Sequence, residues 1–217
     1  MRTLPIILAV LLAVVVAPVA ASAQTPAQRA DLTASVGSFS AYQREAERYD
    51  RWGHSALGSL RAGYYWTDHL KTEVEIAWTG EREAYGSQSG RSDVDPYGYV
   101  YVRHGYRNTV FSAAQAWQFG RNAFFHPFVS AGVDVDREQH VTDRPAQHVP
   151  LSPAASGPTR VAAALVLTET DVRARLYGAA GFKGYFSERT FFRTELKLGV
   201  GNRLDQVTWK AGVGIDF

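Results

Sequence analysis

The sequence predicts an all-β fold, an eight-stranded antiparallel up-and-down transmembrane β-barrel, from three observations. First, the last eleven residues alternate strictly: Val207, Trp209, Ala211, Val213, Ile215 and Phe217 are apolar, while Thr208, Lys210, Gly212, Gly214 and Asp216 are polar or small. A period of two marks a strand with one greasy and one wet face. Second, seven more segments repeat that alternation, joined by short and long connections in turn. Third, beyond the first 23 residues no stretch approaches the eighteen apolar residues of a membrane helix. Spanning a membrane then requires a closed barrel, in which every backbone group finds its partner within the wall.

The chain opens on a basic Arg2, an apolar run from Ile6 to Ala17 and an Ala21-Ser22-Ala23 motif. This is the pattern of a cleaved secretory signal, so residues 1–23 are expected to be removed and 24–217 to form one barrel domain. Leu32, Ala34 and Val36 against Thr33, Ser35 and Gly37 give the first strand. Leu60, Ala62, Tyr64 and Trp66 mark the second, and Thr72, Val74, Ile76 and Trp78 the third. Phe111 to Phe119 is the fourth, with Gln115 its one polar blemish on the apolar face. Pro127 to Val135 and Val172 to Phe182 follow, then Phe192 to Val200 and the terminal strand. Short links fall at 67–69, 120–123 and 187–190, and longer ones at 43–55, 79–106 and 137–168, with a modest one at 201–206. Short turns at one end and long loops at the other are the asymmetry of outer-membrane barrels. An even strand count places both termini at the short-turn end.

Aromatic residues fit two interfacial belts. Tyr64, Trp66, Phe119, Phe124, Phe125, Phe186, Phe191, Phe192 and Phe217 cluster beside the short turns, with Trp78, Phe111 and Trp209 toward the other end. If the greasy face meets lipid, the lumen receives Arg61, Lys71, Arg173, Arg175, Lys183, Arg193, Lys197 and Lys210 against Glu73, Glu75, Asp134, Asp136, Glu195 and Asp216. An eight-stranded barrel has just enough interior for side chains to fill. The expectation is a salt-bridged plug with trapped water, because unpaired buried charges are costly.

The absence of cysteine excludes disulfides and thiolate chemistry, and a net charge of +2 provides no basic stripe for nucleic acid. The six histidines (His54, His69, His104, His126, His140, His148) are scattered through turns and loops without the i, i+4 spacing of a helical zinc site. No catalytic, cofactor or metal residue is assigned on this basis. The series Gly178, Gly181 and Gly184 suggests strand bending and close strand approach. In the second long loop Tyr97, Tyr99, Tyr101 and Arg103 alternate, a row that continues the following strand above the membrane and forms a candidate contact surface. Arg44, Arg48, Arg51, Arg82, Arg103, Arg107 and Arg137 are candidates for the phosphates of lipopolysaccharide. Pro145, Pro150, Pro153 and Pro158 argue against regular structure in the third loop. Val161 to Leu167, apolar on both faces, either extends the sixth strand or packs on a partner or lipid.

The terminal strand and the alternation resemble the small eight-stranded bacterial outer-membrane proteins, the OmpX-like proteins and the transmembrane domain of OmpA-like proteins. The resemblance implies a place in the outer membrane among lipid and lipopolysaccharide, and a monomer. It also implies an insertion signal at Trp209, Val213, Ile215 and Phe217 that the barrel-assembly machinery reads. No peptidoglycan-binding domain is expected after Phe217. Two families of small outer-membrane barrels act on lipid A, one as a deacylase and one as a palmitoyl transferase. Their marks, a His and Ser two apart on the lipid face or an N-terminal amphipathic helix, are missing here; His126 and Ser130 lie on the inward face. The expected function is non-enzymatic, the barrel as anchor and the long loops working in adhesion or envelope integrity, with host or cell-surface ligands as candidate partners. A lipid A enzyme, a narrow passive pore and a soluble barrel with its faces reversed are the rival readings.

Overall fold

The structure, a computed structural model, describes residues 29–42, 52–89, 99–119, 124–150, 159–201 and 203–217. Among the described residues eleven strands occur: β1 (Ala30–Tyr42), β2 (Trp52–Tyr65), β3 (Leu70–Thr79), β4 (Arg82–Ser89), β5 (Tyr99–Gln118), β6 (Phe125–Arg144), β7 (Gln147–Pro150), β8 (Thr159–Ala162), β9 (Leu165–Tyr185), β10 (Thr190–Val200) and β11 (Leu204–Asp216). Eight of them, β1, β2, β3, β5, β6, β9, β10 and β11, close an antiparallel barrel in which β3 pairs with β5 and β1 with β11. β4 continues the line of β3 along β5, after an interruption at Gly80 and Glu81. The seam is sealed where β1 meets the last residue, with Phe217 N donating to Ala30 O at 2.9 Å and Ala30 N to Phe217 O at 3.0 Å.

Along the membrane-spanning wall the alternation read from the sequence has the expected sense. Leu32, Val36, Leu60, Val74, Trp78, Phe111, Trp117, Val129, Leu176, Leu196, Leu198, Trp209, Val213, Ile215 and Phe217 are exposed on the outside of the wall. Residues between them, such as Arg61, Glu73, Asp134, Lys197 and Lys210, are buried in the lumen. The blemish Gln115 is on the outer face, where its Nε2 donates to Thr72 Oγ1 at 2.8 Å; Trp66 Nε1 donates to the same hydroxyl at 2.8 Å. A polar side chain facing lipid is tolerated because its cross-strand neighbour accepts from it.

The short turns have local chemical causes. Thr67 Oγ1 accepts from the His69 and Leu70 amides at 3.2 and 2.9 Å, and Ser187 Oγ from the Arg189 and Thr190 amides at 3.4 and 3.0 Å. A hydroxyl that satisfies the turn's own donors lets the chain reverse in four residues.

Several expectations need correction. Phe191 does not join the interfacial belt: it is fully buried in the lumen, because consecutive strand residues face opposite ways and Phe192 takes the outer side. Of the three glycines in β9, only Gly181 marks a close approach. A Cβ there would stand 2.0 Å from Thr194 O and 2.8 Å from Phe128 Cζ, whereas Gly178 and Gly184 have nothing within 4 Å. The third loop is not devoid of regular structure, since β6 runs on to Arg144, β9 starts at Leu165, and β7 and β8 form a two-stranded hairpin. Pro150 sits at the last position of β7, where a missing N–H costs little; Pro153 and Pro158 lie outside the described residues. Leu165 to Leu167 extend the sixth wall strand, and Val161 belongs to β8. The signal-sequence residues and most of the first loop, including Arg44, Arg48 and Arg51, lie outside the described residues.

A wall closed in this way resists detergent, since it leaves no unpaired edge across its membrane-spanning band. Chain refolded in micelles is therefore expected to migrate differently on gels before and after boiling. Identical migration would mean that no closed barrel forms.

Candidate functional site

Two regions stand out, the filled lumen and the sheet that rises above it. In the lumen, Arg61 of β2 is the hub. Its Nε donates to Glu75 Oε2 at 2.9 Å, Nη1 to Glu73 Oε2 at 3.0 Å and Nη2 to Glu195 Oε1 at 2.7 Å. Arg193 grips the same carboxylates, donating to Glu73 Oε1 at 2.5 Å and Glu195 Oε2 at 2.7 Å. Lys210 adds Glu75 at 2.6 Å and Glu195 at 3.1 Å. Register creates the cluster: Arg61 pairs across β2–β3 with Glu75, and Glu195 across β10–β11 with Lys210. Opposite charges are thus already neighbours before the barrel closes.

Toward the short-turn end, Lys183 donates to Asp31 at 3.1 Å, Asp216 at 3.0 Å and Tyr65 Oη at 2.7 Å, while its ammonium lies 3.6 Å from the centroid of Phe191. Lys71 bridges Asp31 and Glu73, each at 2.6 Å. Toward the long-loop end, Lys197 holds Asp134 at 2.7 Å and Ser112 at 2.9 Å, and lies 3.9 Å from the Tyr177 ring centroid. Arg175 meets Asp136 at 3.3 Å. The cations Arg61, Lys71, Arg175, Lys183, Arg193, Lys197 and Lys210 are thus matched in number by Asp31, Glu73, Glu75, Asp134, Asp136, Glu195 and Asp216. Glu73 with Glu75 and Asp134 with Asp136 are each engaged by cations, an arrangement of charge neutralisation.

Arg173, expected in the lumen, is instead exposed and paired with Asp171 on its own strand at 2.5 Å. β10 accompanies β9 only as far as the Val200–Leu176 pair, so at Arg173 the barrel no longer surrounds the strand. The sequence reading missed Asp31, whose signal was present: it extends the alternation of Thr33 and Ser35 by one step. It also missed the apolar side of the upper lumen, where Phe39, Ala41, Leu57, Ala77 and Val110 cluster.

Arg82 was expected at the outer rim among the lipopolysaccharide contacts, and is instead nearly fully buried at the lumen mouth. Its guanidinium donates to Asn108 and to Glu138, the latter at 3.0 Å, and lies 5.1 Å from the Phe39 ring centroid and 5.8 Å from that of Tyr106. Above this lid, β4, β5, β6 and β9 continue as a protruding sheet. Strands of 20 or 21 residues in β5, β6 and β9 extend about 66 Å, although about 9–11 residues suffice to cross a bilayer. From Leu165 to Arg175, β9 pairs with β6 on one side and with no described strand on the other.

The candidate contact row lies partly on this sheet. Tyr99 pairs with Ser89 and Tyr101 with Ser87 in the β4–β5 ladder, so the row does continue the strand; Tyr97 lies outside the described residues. Arg103 is engaged by Glu83, by Glu81 at 3.1 Å and by Asp143 at 3.9 Å, and Arg107 by Glu81 at 2.6 Å. Arg137 is exposed. The terminal set Trp209, Val213, Ile215 and Phe217 lies together on the outer face, from 44% to 63% exposed.

The chain matches the outer membrane protein β-barrel domain model over residues 9–217. It belongs to that family. Its place is therefore the bacterial outer membrane, with the outer face in lipid and, by the family's asymmetry, the long-loop end outside the cell. Among solved structures it is similar to Neisserial surface protein A, at 12% identity and a TM-score of 0.53, over 87% of this chain and 97% of that one. It is also similar to the N-terminal β-barrel domain of Pseudomonas aeruginosa OprF, at 17% identity and a TM-score of 0.49, over 88% and 98% of the two chains. For Ail of Yersinia pestis the values are 10% and 0.48, over 87% and 99%. At these identities the likeness is one of fold. No curated relative matches the chain.

The two faces of β10 should respond differently to substitution. Leu196→Arg is expected to cost about 2–4 kcal/mol by placing a charge in lipid. Lys197→Met is expected to cost about 3–5 kcal/mol, because it removes the cation paired with buried Asp134. Adding Asp134→Asn to Lys197→Met should recover part of that loss, and adding it to Leu196→Arg should recover none. Reversible unfolding in liposomes measures all four variants.

Proposed function

We propose that the protein is a non-enzymatic surface protein whose barrel is a rigid anchor and whose protruding sheet is the working part, in adhesion or envelope integrity. The observation that carries this reading is the length of β5, β6 and β9 beyond what a bilayer needs. Ordering backbone above the membrane costs conformational entropy, and a sheet held there presents a large preformed surface. The filled lumen supports an anchor over a pore, since its charges are consumed by one another. The edge of β9 from Leu165 to Arg175, which no described strand covers, and the tyrosine row on β5 are the parts of the sheet suited to a host or cell-surface ligand, through strand addition and aromatic contact respectively. Exposed Arg137 suits a lipopolysaccharide phosphate at the rim.

Replacing Tyr97, Tyr99 and Tyr101 together with serine is expected to leave the heat-dependent gel shift intact and to abolish adhesion of expressing cells to host matrix or glycan arrays, at equal surface level. Unchanged adhesion would remove the row as the contact surface, and loss of the gel shift would make it structural.

The outward set ending in Phe217 is, on the same reading, the signal read by the assembly machinery. Phe217→Asp should lower the outer-membrane level far more than a substitution in the 151–158 segment. Equal levels would deny the terminal strand that role.

A further inference from the structure

On the inner face of the protruding sheet, two of the six histidines come together across strands. His104 of β5 and His140 of β6 place Nδ1 and Nε2, respectively, 3.0 Å apart. Thr142 Oγ1 lies 3.5 Å from the first nitrogen and 3.4 Å from the second. The register accounts for this, since His104 pairs with Thr142 and Tyr106 with His140. Tyr106 also lies flat on the His140 ring, with centroids 4.4 Å apart and planes 1° apart, which fixes that imidazole. The third strand supplies a carboxylate. Glu169 of β9 is the direct cross-strand partner of His140, and it is exposed. Directly paired residues share a face, with Cβ atoms about 4.5–5.5 Å apart. Among the described residues no three His, Asp or Glu side chains are already gathered around a metal-sized gap, so Glu169 completes the set only by swinging its carboxylate across the ladder onto the ring nitrogens, a reach that this spacing allows.

We propose that His104, His140 and Glu169 bind a divalent transition ion of the zinc, copper or nickel class at the extracellular mouth of the barrel, with Thr142 or water completing its shell. Imidazole suits these ions, and two histidines with one carboxylate form a zinc donor set that leaves a fourth position open. Two nitrogens bound at 2.0–2.1 Å to a tetrahedral ion stand about 3.3 Å apart. The histidine pair therefore needs to open by only a few tenths of an ångström, with the His104 ring turned so that its lone pair meets that of His140 at the ion. The metal takes the place of the single proton between the two nitrogens, the donor ring then carrying its N–H on its other nitrogen. Bound there, the ion ties β5, β6 and β9 together beyond the bilayer and stiffens the protruding sheet. The inference is independent of the tyrosine row.

The test uses tag-free chain refolded in detergent micelles and titrated calorimetrically with zinc chloride. One ion per chain is expected. Loss of an outer-shell partner alone weakens metal sites by about 10–100-fold, so His104→Gln and His140→Gln should each weaken binding by at least about tenfold. Glu169→Gln should weaken it measurably, while His54→Gln, outside the cluster, should leave it unchanged. The heat-dependent gel shift checks that each variant has folded. Copper-loaded wild type gives a reading that needs no variant: its electron spin echo modulation should report two coordinated imidazoles. Any of three results would overturn the site: no zinc bound above the empty-micelle background, wild-type affinity in both histidine variants, or wild-type affinity in Glu169→Gln.

Discussion

In hydrocarbon, no backbone amide or carbonyl can be left to water, and that constraint shapes this molecule. It forces the sheet to close, with β1 against β11 and β3 against β5, and the first and last wall strands are spent on the closure. Once closed, the wall divides every strand into a lipid side and a lumen side. Leu196 and Lys197, adjacent in sequence, thereby meet hydrocarbon and a buried carboxylate. The alternation is the sequence's record of that division.

The lumen adds a second constraint. Eight strands enclose a space that side chains fill, and the polar ones there must satisfy each other. The hub of Arg61, Arg193 and Lys210 on Glu73, Glu75 and Glu195 spans strands from both halves of the chain, so it sets the relative position of distant hairpins. Aromatic rings contribute from the same face. Phe128 lies under Arg193, Tyr177 under Lys197 and Phe191 under Lys183. Glycines make room for the larger groups: a Cβ on Gly214 would stand 2.3 Å from Phe191 Cζ, and one on Gly63 2.4 Å from Asp31 Oδ1. Replacing a charge here disturbs several strands at once.

Above the membrane both constraints lapse, and the strands behave differently. β9 loses β10 as a neighbour after Leu176 and becomes exposed on both faces. Polar and apolar residues follow one another there without a buried side to discipline them, as in Leu165 to Asp171. The ladder persists nonetheless, down to the Arg144–Leu165 pair. Arg82 caps the boundary between the two regimes, with its guanidinium among Phe39, Tyr106, Asn108 and Glu138.

The wall strands, their facing, the short turns and most of the luminal charges were legible in the sequence, because a membrane-spanning strand writes its environment in a period of two. The same period showed that Tyr99 and Tyr101 lie on a strand. Three kinds of feature were decided only by the tertiary structure. Arg173 and Arg82 follow the local alternation, but whether such a residue is enclosed depends on where neighbouring strands stop, which no local pattern records. Phe191 faces the lumen by the same alternation, but its place beneath the Lys183 ammonium depends on the pairing of β9 with β10. His104 and His140 are 36 residues apart, so their meeting at 3.0 Å depends on the pairing of β5 with β6. Composition and alternation fix which face a residue takes; closure and register fix which residues it meets there.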